Sequence, residues 1–258
     1  MTLRWVPGWN GLTEPEAVSY VAAVEAADGQ ELEFGVARAI NDFVTGCKTD
    51  GIWDAIKACC ILAGARTLDA ALVPLVGTAP TNNNFVSGDY NRETGLVGDG
   101  STKYLDSNRN NNADPQDSKH LSAYISTLSN QNGVFRWSIG DLGFSVLGQT
   151  ATNKHYGRLN DSDTSTPGLA SPELNFTAIR RNASTGKVIR LGGIDYPIAA
   201  TSSAPNSGNY FVFRRNDATV PGYSNARLSF YSIGESLDLA ALDTRVSNLI
   251  TAIGAAIP

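Results

Sequence analysis

Histidine is the side chain that most readily serves as a base or a metal ligand near neutral pH, and this chain has two. They are His120 and His155. Neither belongs to a pattern such as H-x-x-x-H or G-x-S-x-G, which would place it beside a second ligand or a nucleophilic serine. We therefore interpret His120 as a strand residue and His155 as a loop residue. The histidines predict no catalytic triad and no metal site.

Pairs of carboxylates could support a different chemistry, the hydrolysis of glycosidic bonds. That reaction needs two carboxyl groups flanking the sugar, and β-sandwich glucanases commonly carry them on one strand as E-x-D-x-E. The strand-like segments after residue 100 contain no such pattern and almost no Asp or Glu. We predict that the chain is not an enzyme, with a polysaccharide hydrolase as the less favoured alternative. The acidic residues fall in predicted loops, at Asp114, Asp117, Asp161, Asp163 and Asp217.

A metal could be held by residues 106–117, where oxygen-bearing side chains alternate from Asp106 to Asp117 as in a calcium-binding loop. Such a loop has a glycine at its sixth position and a bidentate glutamate at its twelfth. Here those positions hold Asn111 and Asp117, and the flanking segments read as strands. We interpret the segment as an Asn-rich turn and predict no metal and no cofactor; a calcium site is the alternative.

Aromatic rings exposed on a sheet offer a third possibility, because they can stack on the faces of sugars. The candidates are Trp137, Tyr124, Tyr210 and Tyr231, each in a segment that alternates like a strand. Alternation also sends every second side chain inward, so the simpler alternative is that these rings belong to the core. Exposed rings would make the chain a binder of host glycan.

The segments that hold these residues alternate between apolar and polar side chains. Leu121, Ala123 and Ile125, for example, are separated by polar neighbours, which indicates a strand with one buried face. Eight such segments follow residue 100 with no helix between them, so we predict an antiparallel β-sandwich. The predicted strands are residues 103–105, 120–128, 134–139, 144–147, 174–181, 187–191, 210–214 and 227–233.

Helical patterns occupy both ends of the chain. Thr13 followed by Pro15 indicates a capped helix that starts near residue 14, and a second amphipathic helix is expected after it. Asp50 is expected to cap a third helix over residues 52–62. The apolar stripe of residues 237–253 predicts a last helix, which needs a partner surface. We favour the N-terminal helices as that surface.

Charge and composition limit the partners. The net charge is −5 and none of the 20 basic residues lies in a run longer than two, so we expect no nucleic-acid binding. The longest apolar run, residues 58–65, is too short to span a bilayer, and we see no secretion signal. Cys47, Cys59 and Cys60 are expected to be buried free thiols. We expect a soluble protein made in a cytosol.

Three stretches of the sequence are specific enough to indicate a family. They are DGIWDAIK at residues 50–57, GARTLDAALVPL at 64–75 and FVSGDYNRETGLVGDGSTKYL at 85–105. Together with FYSIGESL at 230–237, they resemble a family of tailed-bacteriophage and prophage virion proteins, over the chain from about residue 13 to its end. The resemblance implies a laminin-G-like, concanavalin A-like jelly-roll sandwich carried on the phage particle, and it brings no catalytic residues.

The resemblance and the predicted elements together divide the chain into four parts. Trp5 and Trp9 lie in the first part, an arm that could dock on a neighbouring subunit or be a mobile terminus. The leading hypothesis is a non-enzymatic structural protein of the virion, made in the host cytoplasm, with a glycan-binding host-receptor adhesin as the alternative. Its partners would be copies of itself, a trimer by analogy, and other virion proteins. The parts are an arm (1–12), a helical attachment region (13–66), the sandwich (67–236) and a C-terminal helix (237–258).

Overall fold

The computed structural model describes residues 11–128, 135–150, 155–162, 174–219 and 222–258. The helices of this part of the chain are α1 (Pro15–Asp28), α2 (Phe34–Thr49), α3 (Leu68–Ala71) and α4 (Leu239–Ala256). Its strands are β1 (Ile56–Ile61), β2 (Thr81–Asn83), β3 (Tyr90–Asn91), β4 (Gly95–Val97), β5 (Tyr104–Asn110), β6 (Lys119–Thr127), β7 (Phe135–Gly140), β8 (Ser145–Thr150), β9 (His155–Leu159), β10 (Asn175–Ala183), β11 (Gly186–Leu191), β12 (Ile194–Ala199), β13 (Asn209–Val212) and β14 (Arg227–Gly234).

The strands form two sheets. The central sheet has eight strands in the order β12-β11-β10-β6-β14-β4-β3, with β1 also paired to β14. The outer sheet has six strands in the order β2-β5-β13-β7-β8-β9. All of these strand pairs are antiparallel. The prediction of a mainly β, antiparallel two-sheet sandwich with a few helices is confirmed.

The central sheet separates two hydrophobic cores. Successive side chains of a strand point to opposite faces, so one strand can serve both cores. In β14, Phe230 belongs to the core under the helices, whereas Tyr231 belongs to the core between the two sheets. Leu105 and Val212 of the outer sheet complete this second core. The molecule therefore has three layers: helices, central sheet and outer sheet.

The N-terminal helices are joined to each other by a buried amide. α1 begins at Pro15, whose fixed φ suits the first helical position, and Gly29 ends it with a φ of 66°. Thr13 was expected to cap α1 with its side chain, but Glu14 is the capping residue and makes no side-chain bond there. The side chain of Asn41 in α2 accepts the backbone N–H groups of Thr13 and Glu14, at 2.8 and 3.0 Å. The entry to α1 is therefore fixed by tertiary contact.

The C-terminal helix α4 lies in the same layer as α1 and α2. The carboxylate of Asp238 accepts the backbone N–H groups of Ala240 and Ala241 and so caps the start of α4. Along its length α4 packs against α2 and shares the helix-side core. Arg245 of α4 makes an ion pair with Asp50 at the end of α2, with 2.7 Å between Nε and Oδ2. No helix within the described ranges is long and apolar enough to cross a membrane.

The expected third helix over residues 52–62 is wrong. Its first part is a 3₁₀ turn, Trp53–Ala55, and its second part is strand β1, which pairs with β14. Cys59 and Cys60, adjacent in β1, belong to the two different cores, so β1 is buried on both faces. A strand buried on both faces is apolar at nearly every position and therefore lacks alternation. The three cysteines are buried free thiols, as predicted.

The eight predicted strands each overlap one observed strand: β5, β6, β7, β8, β10, β11, β13 and β14. The sequence analysis missed β1, β9 and β12 and the short strands β2, β3 and β4. β9 contains His155, which is a buried strand residue rather than the loop residue that we expected. β12 is an edge strand with a proline, Pro197, and a proline weakens the sequence signal of a strand.

Candidate functional site

Aromatic side chains and one arginine form a half-exposed cluster on the outer face of the outer sheet. Tyr104 of β5 and Phe211 of β13 lie with their ring centroids 4.8 Å apart, and Tyr223 lies edge-on to Tyr104 at 6.3 Å. The guanidinium carbon of Arg214 lies 4.6 Å from the ring centroid of Tyr223 and 4.8 Å from that of Tyr104. All four residues are partly exposed. We call this cluster the aromatic–arginine platform.

Strand alternation places two of the rings on this face. Leu105 in β5 and Val212 in β13 are buried between the sheets, so their neighbours Tyr104 and Phe211 point outward. Phe211 lies directly opposite Asp106 of β5 in the ladder. The platform is therefore built on paired strands, which hold side chains more precisely than loops do.

A backbone kink brings the other two residues to the platform. Phe213 has a φ of 73°, in the left-handed region that β-carbon-bearing residues rarely occupy. Its ring is buried and packs edge-on to Phe85 at 5.0 Å, and this burial offsets the backbone strain. Val212 and Phe213 thus both point inward, and Arg214 turns out toward the platform. The backbone N–H of Ser224 donates to the carbonyl of Phe213 at 2.8 Å, which brings Tyr223 alongside.

Arg214 is held by hydrogen bonds as well as by the rings. Its Nε donates to the carbonyl oxygen of Arg215 at 2.8 Å, and its Nη1 donates to the hydroxyl of Tyr223 at 2.7 Å. A guanidinium over aromatic faces is attracted by the ring quadrupoles. The platform therefore presents a fixed positive charge among apolar surfaces.

Polar side chains line the side of the platform next to Phe211. The carboxylate of Asp106 accepts from Nδ2 of Asn209, at 3.1 and 3.2 Å to its two oxygens, and from the backbone N–H of Asn108 at 2.9 Å. Asn83 lies opposite Tyr104 in the ladder and is partly exposed. Apolar rings next to a few fixed amide and carboxylate groups suit a ligand with both apolar faces and hydroxyl groups.

The tyrosines chosen from the sequence as glycan-binding candidates lie elsewhere, and for two of them the structure shows the alternative, a position in the core. Tyr210 and Tyr231 are buried between the sheets, where the Tyr210 hydroxyl donates to Asn111 Oδ1 at 2.8 Å. Burial raises the pKa of both phenols well above the usual range. Tyr124 is half-buried on the helix side of the central sheet. None of these three rings belongs to the platform.

The tryptophans chosen from the sequence are not part of the described site. The backbone of Trp137 lies in β7, opposite Gln149, but its side chain is outside the described residues. Trp5 and Trp9 also lie outside the described residues. Their roles as glycan-binding and attachment residues therefore stay predictions.

His120 has a serine neighbour, yet it lies in the interior. Its Nε2 is 2.9 Å from Oγ of Ser232, and its Nδ1 is 2.6 Å from the carbonyl oxygen of Glu235. Ser232 Oγ also lies 2.7 Å from Oγ of Ser122. Burial lowers the pKa of His120 from 6.5 to about 4, so the ring is neutral at pH 7. A ring with no exposed surface has no route to a substrate, so we assign this cluster to the core.

The oxygen-rich residues 106–117 turn toward separate partners. Asp106 is held by Asn209, Asp114 makes an ion pair with Arg109, and Asn111 points inward to Asp141 and Tyr210. Across the part of the chain that the structure describes, no three Asp, Glu, His or Cys side chains are grouped so as to hold a metal ion.

Sequence reasoning missed all four platform residues. Tyr104 lies in a segment that we predicted to be a strand, and its alternation with Leu105 was the signal that it points outward. Phe211 carried the same signal opposite Val212. For Arg214 and Tyr223 no sequence signal was available, because their positions depend on the left-handed backbone at Phe213.

Comparison with known proteins shows likeness in structure only. No family model and no curated protein sequence matches this chain. A solved structure of Trypanosoma rangeli sialidase with 2,3-difluoro-KDN is 10% identical, with a TM-score of 0.50, over 77% of this chain and 33% of the sialidase. The same enzyme with 2,3-difluorosialic acid, as a covalent intermediate, is 10% identical, with a TM-score of 0.50, over 83% and 39%. The chain thus spans about a third of the length of these sialidases.

This likeness overturns the prediction of a non-enzymatic structural protein of a phage virion. The two solved structures named above are sialidases, which are glycoside hydrolases, so enzymes that act on glycans contain a similar fold. The expectation that the chain is not an enzyme is corrected by the same finding. At 10% identity the likeness establishes the fold, and function has to be argued from the site.

Proposed function

We propose that this chain binds a glycan on the aromatic–arginine platform. The observation that carries the proposal is that Tyr104, Phe211 and Tyr223 keep part of their ring surface exposed on a rigid sheet. Tyrosine and phenylalanine rings bury a large area at little entropic cost, and a pyranose presents a flat C–H face of matching size.

The polar groups beside the rings suit the hydroxyl groups of the same ligand. Asp106 supplies acceptor oxygens, and Asn83 and Asn209 supply amide groups, at the margin of the platform. Since Asn209 already donates to Asp106, both side chains are held in place before a ligand arrives. Fixed polar groups around an apolar centre give orientation and specificity to a binding site.

The fold supports the same proposal. Proteins with a similar sandwich include sialidases bound to sialic acid analogues. We further propose that the sandwich is a jelly roll of the concanavalin A-like type, as the sequence resemblance implies. The crossovers in strand order, which place β14 between β6 and β4 and β13 between β5 and β7, fit that type of sandwich.

The proposal is tested by measuring glycan binding of the wild-type protein and of Phe211→Ala, first on a glycan array and then by calorimetry. Loss of the central ring is expected to weaken binding about tenfold, since one stacking contact contributes about 1 kcal/mol or more. Phe34→Ala is the matched control, because Phe34 is 61% exposed on α2, in the layer opposite the platform. Each mixture is also examined for released sugar, since sialidases share the fold.

The proposal fails if the wild-type protein binds no glycan, or if Phe211→Ala binds as tightly as Phe34→Ala. Thermal melting of both variants confirms that they are folded. The family resemblance, the homotrimer, the virion partners and the virion location stay predictions from the sequence. Light scattering at micromolar concentration tests the trimer.

A further inference from the structure

We infer that the platform selects sugars that carry a carboxylate, and that Arg214 is the residue that binds this carboxylate. The inference rests on the proposed function, because it names the class of ligand for the same site. Its starting point is an arginine whose charge and hydrogen-bonding capacity are incompletely used by the protein.

The hydrogen bonds of Arg214 leave donors available. A guanidinium has five N–H groups. In the described structure Nε donates to the carbonyl of Arg215 and Nη1 donates to Tyr223, so five minus two leaves three N–H groups without an acceptor among the described residues. Arginine N–H groups bind a carboxylate as a parallel pair, which lysine cannot do.

Among the described residues, the charge of Arg214 also has no carboxylate partner. No Asp or Glu of the described residues lies within 4.0 Å of it, whereas neighbouring basic residues are paired. Lys103 pairs with Asp89 at 2.6 Å, and Arg215 pairs with Asp217 at 3.0 Å. Asp106 lies on the same face, and Asn209 and the Asn108 N–H already donate to it. A ligand carboxylate would therefore meet an unpaired cation at Arg214.

Three rings surround the guanidinium of Arg214. Its carbon lies 4.8 Å from the ring centroid of Tyr104, 5.4 Å from that of Phe211 and 4.6 Å from that of Tyr223. Contact with three rings restricts the rotamers of a long side chain, so little conformational entropy is left to lose on binding. The same rings that would stack on the sugar thus orient the group that would bind its carboxylate.

The ligand that fits is an acidic pyranose, with a C–H face for the rings and a carboxylate in reach of Arg214. Hexuronic acids and sialic acids both have this chemistry. The probes are therefore two matched pairs: oligogalacturonate with its methyl ester, and sialyllactose with its methyl ester. Within each pair the neutral member differs only in the charge of the carboxylate.

The experiment is calorimetric titration of the wild-type protein, Arg214→Gln, Arg214→Lys and Arg38→Gln with the four probes. At least one acidic probe is expected to bind about tenfold tighter than its neutral partner, the worth of one charge-assisted bidentate contact. Arg214→Gln is expected to abolish this preference without weakening neutral binding, and Arg214→Lys to restore part of it. Arg38→Gln removes the same charge from an exposed position on α2 and is expected to change nothing.

Three results would overturn the inference: equal binding of acidic and neutral probes, a preference that survives in Arg214→Gln, or full restoration by lysine, which would reduce the contact to charge alone. If the wild type binds both members of a pair equally and Phe211→Ala still weakens both, this inference fails while the proposed function stands. If none of the four probes binds, this inference fails, and the glycan array decides the proposed function separately.

Discussion

Two arginines of the sandwich illustrate opposite uses of the same side chain. Arg181 of β10 is fully buried; its Nη2 lies 2.7 Å from Oδ2 of Asp161, and the Nζ of Lys187 lies 2.7 Å from the other oxygen of that carboxylate. Arg214 on the platform is half-exposed, with no carboxylate partner among the described residues. We call Asp161, Arg181 and Lys187 the buried ionic cluster.

The difference lies in how fully each arginine is used. Besides Asp161, Arg181 donates to four backbone carbonyls, those of Leu159, Ala183, Gly186 and Ala200. Its hydrogen-bonding capacity is consumed by the fold, as a buried charge requires. Arg214 keeps three N–H groups for other acceptors, by the count given above. The charge of Arg181 is therefore used by the fold, whereas the charge of Arg214 can be used by a ligand.

Removing the carboxylate of the buried ionic cluster is expected to have the largest effect. Asp161→Asn would remove the carboxylate charge that the buried Arg181 and Lys187 share, and the free energy of unfolding should fall by about 3–5 kcal/mol. Urea denaturation measures the loss. Asp195→Asn is the control, since Asp195 is 39% exposed and its partner Arg190 keeps a second ion pair with Asp243. If the two variants lose the same stability, the cluster is not the structural element that we describe.

The pH dependence of stability should also follow the buried groups. Burial lowers the pKa of His120 to about 4 in the folded protein, against 6.5 for an ordinary histidine. As the pH falls below 6.5, His120 therefore becomes protonated in the unfolded chain but stays neutral in the folded protein. The free energy of unfolding is expected to decrease progressively toward pH 4. Urea midpoints measured at pH 7, 5.5 and 4.5 give the slope, which should be smaller in His120→Gln. An unchanged slope in that variant would contradict the assignment.

The smallest effect on stability is expected at the platform. Arg214→Gln should change the free energy of unfolding by less than about 1 kcal/mol, because its contacts with the rings are partly solvated and it makes no ion pair among the described residues. The same urea titration provides the number. A loss of 3 kcal/mol or more would place Arg214 with Arg181 as a structural residue and remove the contrast between them.

The sequence predicted the strands, and the side on which each is buried, where a strand has one polar face. In β6, Leu121, Ala123 and Ile125 predicted both the strand and its buried side, and the structure places all three in the core between the sheets. The apolar stripe at the C-terminus likewise predicted a helix, although the observed α4 starts two residues later and ends three residues beyond the predicted bounds. Periodicity therefore predicted eight of the fourteen described strands, the C-terminal helix and the sandwich.

The site needed information that periodicity lacks. β1 is apolar at almost every position because both of its faces are covered, and the absence of alternation made it resemble a helix. Phe213 adopts a left-handed φ without being glycine or asparagine, so nothing in the residue types marks the kink. Tyr231 and Tyr210 had the same alternating signal as Phe211, and only the face of the strand on which each lies distinguished them.

The three-layer arrangement has a consequence for molecules held at a surface. The helices cover one side of the central sheet. The aromatic–arginine platform lies on the other side of the molecule, on the outer face of the outer sheet. Molecules immobilised through the helical layer, for example through a label at the exposed position of Phe34, would all direct their platforms outward. Weak contacts with single sugars would then act together on a polymer that repeats the same sugar, and retention would rise with the density of the coating rather than with the affinity of one site.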